Sequence, residues 1–124
     1  MGVFMPREES LTDCSIIHHD LVEKAINEMP SDKEILNMSN FFKIIGDPTR
    51  CKIILALLNN ELCVCDIANI LNMSKSSISH QLSKLKDFGV LKSRRQGKVV
   101  YYLLDDEHVK IIVQLTREHI KHKN

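Results

Sequence analysis

The sequence predicts a mainly helical protein carrying one small β-hairpin, and three observations carry that prediction. Apolar residues make up 44% of the 124 residues, aromatics only 5%, and tryptophan is absent, which suits a core packed with Leu, Ile and Val. Apolar positions recur at helical spacing through most of the chain. Two apolar runs flank Gln96-Gly97 towards the C-terminus, and a glycine able to take positive φ between two such runs is a hairpin signal. The length fits one domain overall, divisible into an arm and helix over 1–30 and a body over 31–122.

The elements follow in order. Residues 1–15 show no periodicity and read as an arm. Ile17, Leu21, Val22, Ala25, Ile26 and Met29 mark a first helix over Ile16 to Met29, interrupted by Pro30. Ser31 and Asp32 can cap a second helix through Ile35, Leu36, Met38, Phe41, Phe42, Ile44 and Ile45, closed by Gly46-Asp47-Pro48. A third helix, Thr49 to Asn59, faces inward with Ile53, Ile54, Ala56, Leu57 and Leu58, and Cys51 is assigned to the same core. Leu62 to Leu71 reads as a short fourth helix and Asn72-Met73-Ser74 as a turn. Ser74 or Ser76 caps a fifth helix, Ser76 to Phe88, with Ile78, Leu82 and Leu85 inward and Gly89 at the left-handed closing position. The hairpin then leads to a last helix, Asp105 to His122.

Charge is unevenly distributed. The net charge is +1, yet residues 1–35 carry a net −5 and residues 74–98 a net +6, with Asp87 the only acid in the latter block. A basic block in a near-neutral chain is the footprint of a polyanion partner. No run of 18 apolar residues exists to span a membrane, and the N-terminus lacks a basic region followed by an apolar run. A cytoplasmic location is expected, where four cysteines are better read as thiols or metal ligands than as disulfides.

Two short helices one turn apart, followed by a basic hairpin, form a winged helix-turn-helix. Ser76, Ser77, Ser79, His80, Gln81 and Lys84 are the outward positions of its second helix. They are short or hydrogen-bonding side chains that can approach base edges in a major groove of double-stranded DNA. Arg94, Arg95, Gln96 and Lys98 decorate the hairpin and suit phosphate or a minor groove.

The last helix holds four plausible metal ligands, Asp106, His108, His119 and His122. At about 100° and 1.5 Å per residue, His108 and His119 share a face but lie about 16 Å apart. A metal–nitrogen bond is about 2 Å, so one straight helix cannot bring both to one ion. Two antiparallel copies in a symmetric homodimer can, with Asp106 and His108 of one chain meeting His119 and His122 of the other. Imidazoles must be neutral to ligate, so binding is expected to weaken as pH falls. A second candidate set is thiol-based: Cys63 and Cys65 with Cys14 and His18 from the arm, and His19 as an alternative to His18. Residues i and i+2 are about 200° apart on a helix, so Cys63 and Cys65 can share an ion only at a helix end or where the backbone is unwound. Such thiolate-rich sites favour soft or borderline ions.

The chain resembles the ArsR/SmtB family of metal-sensing transcriptional repressors from about Leu36 to His122. The resemblance rests on Gly46-Asp47-Pro48-Thr49-Arg50, on Glu61-Leu62-Cys63-Val64-Cys65-Asp66-Ile67-Ala68 and on Ser76-Ser77-Ile78-Ser79-His80-Gln81-Leu82. It rests equally on Arg95-Gln96-Gly97-Lys98-Val99-Val100-Tyr101-Tyr102 and on the ordered set Asp106, His108, His119 and His122. It implies a homodimer, joined through N- and C-terminal helices, that represses metal efflux or resistance genes and leaves operator DNA on binding an effector. The effector that the resemblance implies is Zn(II), with Cd(II) or Pb(II) as further candidates. Thiophilic-metal sensors of the family usually carry two arm cysteines, whereas this arm has only Cys14. Cys14 with His18 resembles instead the arm of its zinc sensors. The resemblance implies no enzyme activity and no small-molecule substrate. Two alternatives stand beside it: a repressor responding to arsenite or oxidant through Cys63 and Cys65, and, in a different class, a zinc-binding protein without regulatory function.

Overall fold

The computed structural model describes residues 15–123. Six helices and one hairpin are seen among them: α1 His19–Glu28, α2 Asp32–Ile45, α3 Pro48–Ala56, α4 Val64–Leu71, α5 Lys75–Asp87, β1 Leu91–Gln96, β2 Val99–Leu104 and α6 Glu107–Lys123. The chain divides into two compact units between Ile35 and Leu36. No helix among the described residues is long and apolar enough to cross a membrane.

In the first unit, α1 follows His18 and stops at Met29, where the following proline disfavours further helix. Lys24 and Glu28 pair at 3.5 Å across one turn. The apolar residues Leu21, Val22 and Ile26 are all exposed, so the periodicity that identifies this helix does not mark a core face within this unit.

The second unit is built on one core. Ile53, Ile54 and Leu57 of α3 meet Ile67 and Ala68 of α4, Ile78, Leu82 and Leu85 of α5, Val90 and Leu91, Leu104 and Val109. Phe41, Ile44 and Ile45 at the end of α2 pack against it. Each boundary has a local cause. Ser31 Oγ accepts from the Glu34 amide near the start of α2. Gly46 closes α2 with its amide on the Phe42 carbonyl, and a Cβ there would lie 2.9 Å from that oxygen. Asp47 caps α3 by accepting from the Arg50 amide at 3.0 Å, and Pro48 takes the first helical position.

The helix-turn-helix is closed in the same way. Asn72 ends α4 in the left-handed region, φ 55°, and the Met73 amide reaches back to the Ala68 carbonyl. Two residues later Ser74 caps α5, its Oγ accepting from the Ser77 amide at 3.1 Å. Gly89, at φ 72°, ends α5 while the Val90 amide bonds the Leu85 carbonyl. The hairpin pairs Gln96 with Val99 and Leu91 with Leu104. Its two-residue turn places Gly97 at φ 64° in the first central position and Lys98 at negative φ, the pattern of a type II′ turn.

Several expectations need correction: α1 starts at His19 rather than Ile16, and α3 ends at Ala56 rather than Asn59. Helix α4 starts at Val64 rather than Leu62, because Leu62 is drawn into an antiparallel bridge with Tyr102 on β2 through two backbone hydrogen bonds, 3.1 and 2.7 Å. Cys51 is exposed rather than in the core. Its thiol donates to the Ile45 carbonyl at the end of α2 at 3.0 Å.

Candidate nucleic-acid interface and metal centres

Helix α5 buries Ile78, Leu82 and Leu85 and leaves Ser76, Ser77, Ser79, His80 and Lys84 exposed. At about 100° per residue the direction opposite the buried row passes through Ser76, His80 and Ser83. Ser83 was not among the expected contacts, although it is exposed on that face; the buried spacing of Ile78, Leu82 and Leu85 was the signal that could have found it. Gln81 behaves differently. It lies on the flank of the helix, half-buried, with Oε1 accepting from Arg50 Nη1 of α3 at 3.0 Å.

The hairpin also separates its basic residues. Arg95, Gln96 and Lys98 are exposed towards the turn. Arg94 is committed: its Nε is paired with Glu61, Nη1 donates to Gln96 Oε1 at 3.0 Å, and its guanidinium carbon stands 4.7 Å from the Tyr101 ring centroid. Lys86 at the end of α5 donates to Ser93 on β1 at 2.8 Å, joining the helix to the hairpin.

On the last helix, Asp106 is the N-cap of α6, its Oδ1 accepting from the Val109 amide at 3.1 Å. That hydrogen bond is the main reason its carboxyl titrates below the usual carboxylate range; the neighbouring His108 pulls the same way. His108 Nδ1 stands 3.5 Å from Asp106 Oδ2, so these two side chains are brought together. His119 and His122 are exposed in the last turns, and His122 Nε2 lies 3.8 Å from Glu118. Among the described residues of one chain, no three His, Cys, Asp or Glu side chains gather into a metal-holding group. As a donor set, three imidazoles and a carboxylate suit zinc.

Cys63 and Cys65 stand at the start of α4. Cys63 is the N-cap residue with extended backbone, φ −90° and ψ 173°, and Cys65 is exposed in the first turn. The thiol pair is therefore at a helix end, the condition its i,i+2 spacing requires. The Cys63 amide donates to Asp66 Oδ2 at 3.1 Å, which holds that end closed. His18 is the N-cap of α1 and His19 its first residue, while Cys14 lies outside the described residues.

Comparison with known proteins gives consistent results. The family model described as bacterial regulatory protein, arsR family, matches residues 47–93, from the cap of α3 into β1. A cadmium resistance transcriptional regulatory protein CadC homolog of Staphylococcus aureus is 42% identical over 86% of this chain and 88% of its own. A transcriptional repressor SmtB homolog of Synechocystis sp. is 36% identical over 92% of this chain and 86% of its own. Among solved structures, the homodimeric winged helix-turn-helix DNA-binding domain Mb0332 of Mycobacterium bovis superposes with a TM-score of 0.68 at 26% identity, covering 77% of this chain and 94% of that one.

Proposed function

The chain belongs to the ArsR family of bacterial regulatory proteins, and on that premise we propose that it is a homodimeric, metal-responsive transcriptional repressor. It holds operator DNA when metal-free and leaves it when Zn(II), or the softer Cd(II) or Pb(II), is bound, so that metal efflux or resistance genes are expressed. It works in the cytoplasm and carries out no catalysis.

The observation that carries this reading is the outer face of α6. At about 100° per residue, His108, Ile112, Leu115, His119 and His122 fall on one stripe. His108 and His122 are 89% and 78% exposed in the single chain, and Leu115 between them is 62% exposed. A helix that exposes apolar residues between ligand-type residues is half of an interface. The midpoint of Asp106 and His122 is Gln114, and that of His108 and His119 falls between Val113 and Gln114. An antiparallel pairing about that point serves both ligand pairs with one two-fold axis. Ser76, Ser77, Ser79, His80 and Lys84 then meet the major groove, while Arg95, Gln96 and Lys98 meet the backbone beside it.

Release follows from coupling. The metal-free dimer holds its two α5 helices at a spacing that fits successive grooves. Closing the four side chains across the interface favours a dimer that fits them less well, by a coupling free energy of about 1–3 kcal/mol. The end-of-helix geometry of Cys63 supports a second reading, in which Cys63 and Cys65, with Cys14 and His18, take a thiophilic ion. An electrophoretic mobility shift with the DNA upstream of its own gene tests the proposal. A band formed without metal and lost on adding zinc is expected; no metal-free band would overturn it. His119→Ala is expected to bind DNA and to resist zinc. Resistance to cadmium in Cys63→Ser, with loss of near-ultraviolet thiolate absorption, would instead assign the switch to the thiols.

A further inference from the structure

We propose that Arg50 and Gln81 form a clamp that sets the angle of the DNA-facing helix, which makes Gln81 a positioning residue and not a reader of bases. This rests on the DNA-binding part of the reading above. Arg50 sits in the first turn of α3, fixed there because its amide bonds the Asp47 cap. Its side chain spans two elements: Nε donates to the carbonyl of Ile44 in the last turn of α2, and Nη1 donates to Gln81 Oε1 on α5 at 3.0 Å. One planar guanidinium therefore ties the end of α2 to the middle of α5, and both contacts are half-buried. Guanidinium carries donors only, so the amide atom facing it must be the oxygen. The Gln81 oxygen is thereby turned to Arg50, with one of its two lone pairs engaged. Bidentate pairing with adenine needs both the oxygen and the nitrogen turned to the base, so it competes with the Arg50 contact for the orientation of the amide. The apolar row of Ile78, Leu82 and Leu85 packs the helix against the core, but apolar contact is non-directional. The guanidinium, with one hydrogen bond to each element, adds a fixed direction, which is what a helix docking into a groove requires.

Gln81→Glu and Gln81→Met separate the two roles. Glutamate keeps an oxygen towards Arg50 and loses the outward amide nitrogen; methionine has similar length and loses the contact. The clamp predicts that Gln81→Glu keeps specific affinity within about threefold of the parent, measured on a duplex selected by the wild-type protein from a random pool. Gln81→Met and Arg50→Lys should each lose about tenfold or more, while binding to scrambled duplex and the unfolding temperature change little. The double variant should lose no more than either single one. A larger loss with glutamate than with methionine would make Gln81 a base reader and overturn the proposal, as would methionine without effect. If the wild-type protein selects no duplex, the DNA-binding reading fails and the clamp is judged by nuclear magnetic resonance. Separate, slowly exchanging Arg50 Nη signals in the wild type and Gln81→Glu, lost in Gln81→Met, are then expected, and their absence from the wild type refutes it.

Discussion

Asp106 shows how one side chain can serve the helix and the site together. Its Oδ1 caps α6 through the Val109 amide, while Oδ2 faces His108 at 3.5 Å. Asparagine caps as well as aspartate, so Asp106→Asn should leave the helix intact and still weaken zinc binding by about tenfold or more, by loss of the carboxylate. Asp106→Ala should weaken zinc binding and lower the unfolding midpoint as well. Equal zinc affinity in wild type and Asp106→Asn, by competition with a chromophoric chelator, would remove Asp106 from the ligand set. The folded-state depression of its pKa gives a further sign. The cap's contribution to stability is present above the ordinary carboxylate range and is lost as pH falls through the depressed native value. In Asp106→Asn that acid-side loss should diminish, read by denaturant midpoints across the acid range. Asp106 and His108 stand out in the sequence as ligand types; the capping role needed the backbone of Val109, which the sequence shows only as an apolar residue three positions on.

The elements themselves were largely legible because each ends on a residue with its own local physics. Ser74, Asn72 and Gly89 punctuate the helix-turn-helix, and Gly97 turns the hairpin, without help from distant contacts. Ser74→Ala should therefore cost about 1 kcal/mol in stability, read by urea unfolding, and a cost near zero would deny its capping role. What the sequence did not show is long-range: the Leu62–Tyr102 bridge that delays α4, and the commitment of Arg94 to Glu61 and Tyr101. Arg94 and Arg95 are neighbours of the same type, and strand alternation sends them to opposite faces. The difference is measurable. Replacing Arg95 or Lys98 with alanine should each lower the slope of log affinity against log salt by about one, the signature of one lost phosphate contact. Arg94→Ala should leave the slope unchanged and lower stability by about 1 kcal/mol or less, since exposed ion pairs contribute little. A slope change for Arg94 equal to that for Arg95 would place both on DNA.

At the scale of the whole molecule, the single chain leaves large apolar residues of α1, α2 and α6 exposed. Periodicity identified α1, α2 and α6 as amphipathic but could not tell a core face from an apolar face left exposed. Cys51 illustrates the ambiguity: it lies in an apolar helix yet lines an open groove with Phe42, Leu55, Ile112 and Ile120. Ile26, Phe42, Leu115 and Ile120 are each more than half exposed. Fully burying such a side chain contributes about 1.5–3 kcal/mol relative to leaving it exposed, so the second copy proposed above would gain stability by covering them. Leu115 is the sharpest probe, because it lies on the same stripe of α6 as His119 and His122 and is not part of the buried core. Leu115→Glu places two like charges near the two-fold axis of the proposed dimer. Sedimentation at micromolar concentration should then show monomer where the wild type shows dimer, with helix content preserved. Because each proposed zinc site takes ligands from both chains, the same variant should bind zinc weakly although every ligand is intact. It should also lose cooperative binding to a two-fold symmetric operator. A monomeric Leu115→Glu that still bound zinc as tightly as the wild type would show that one chain suffices for the metal, and the antiparallel pairing of α6 would have to be abandoned.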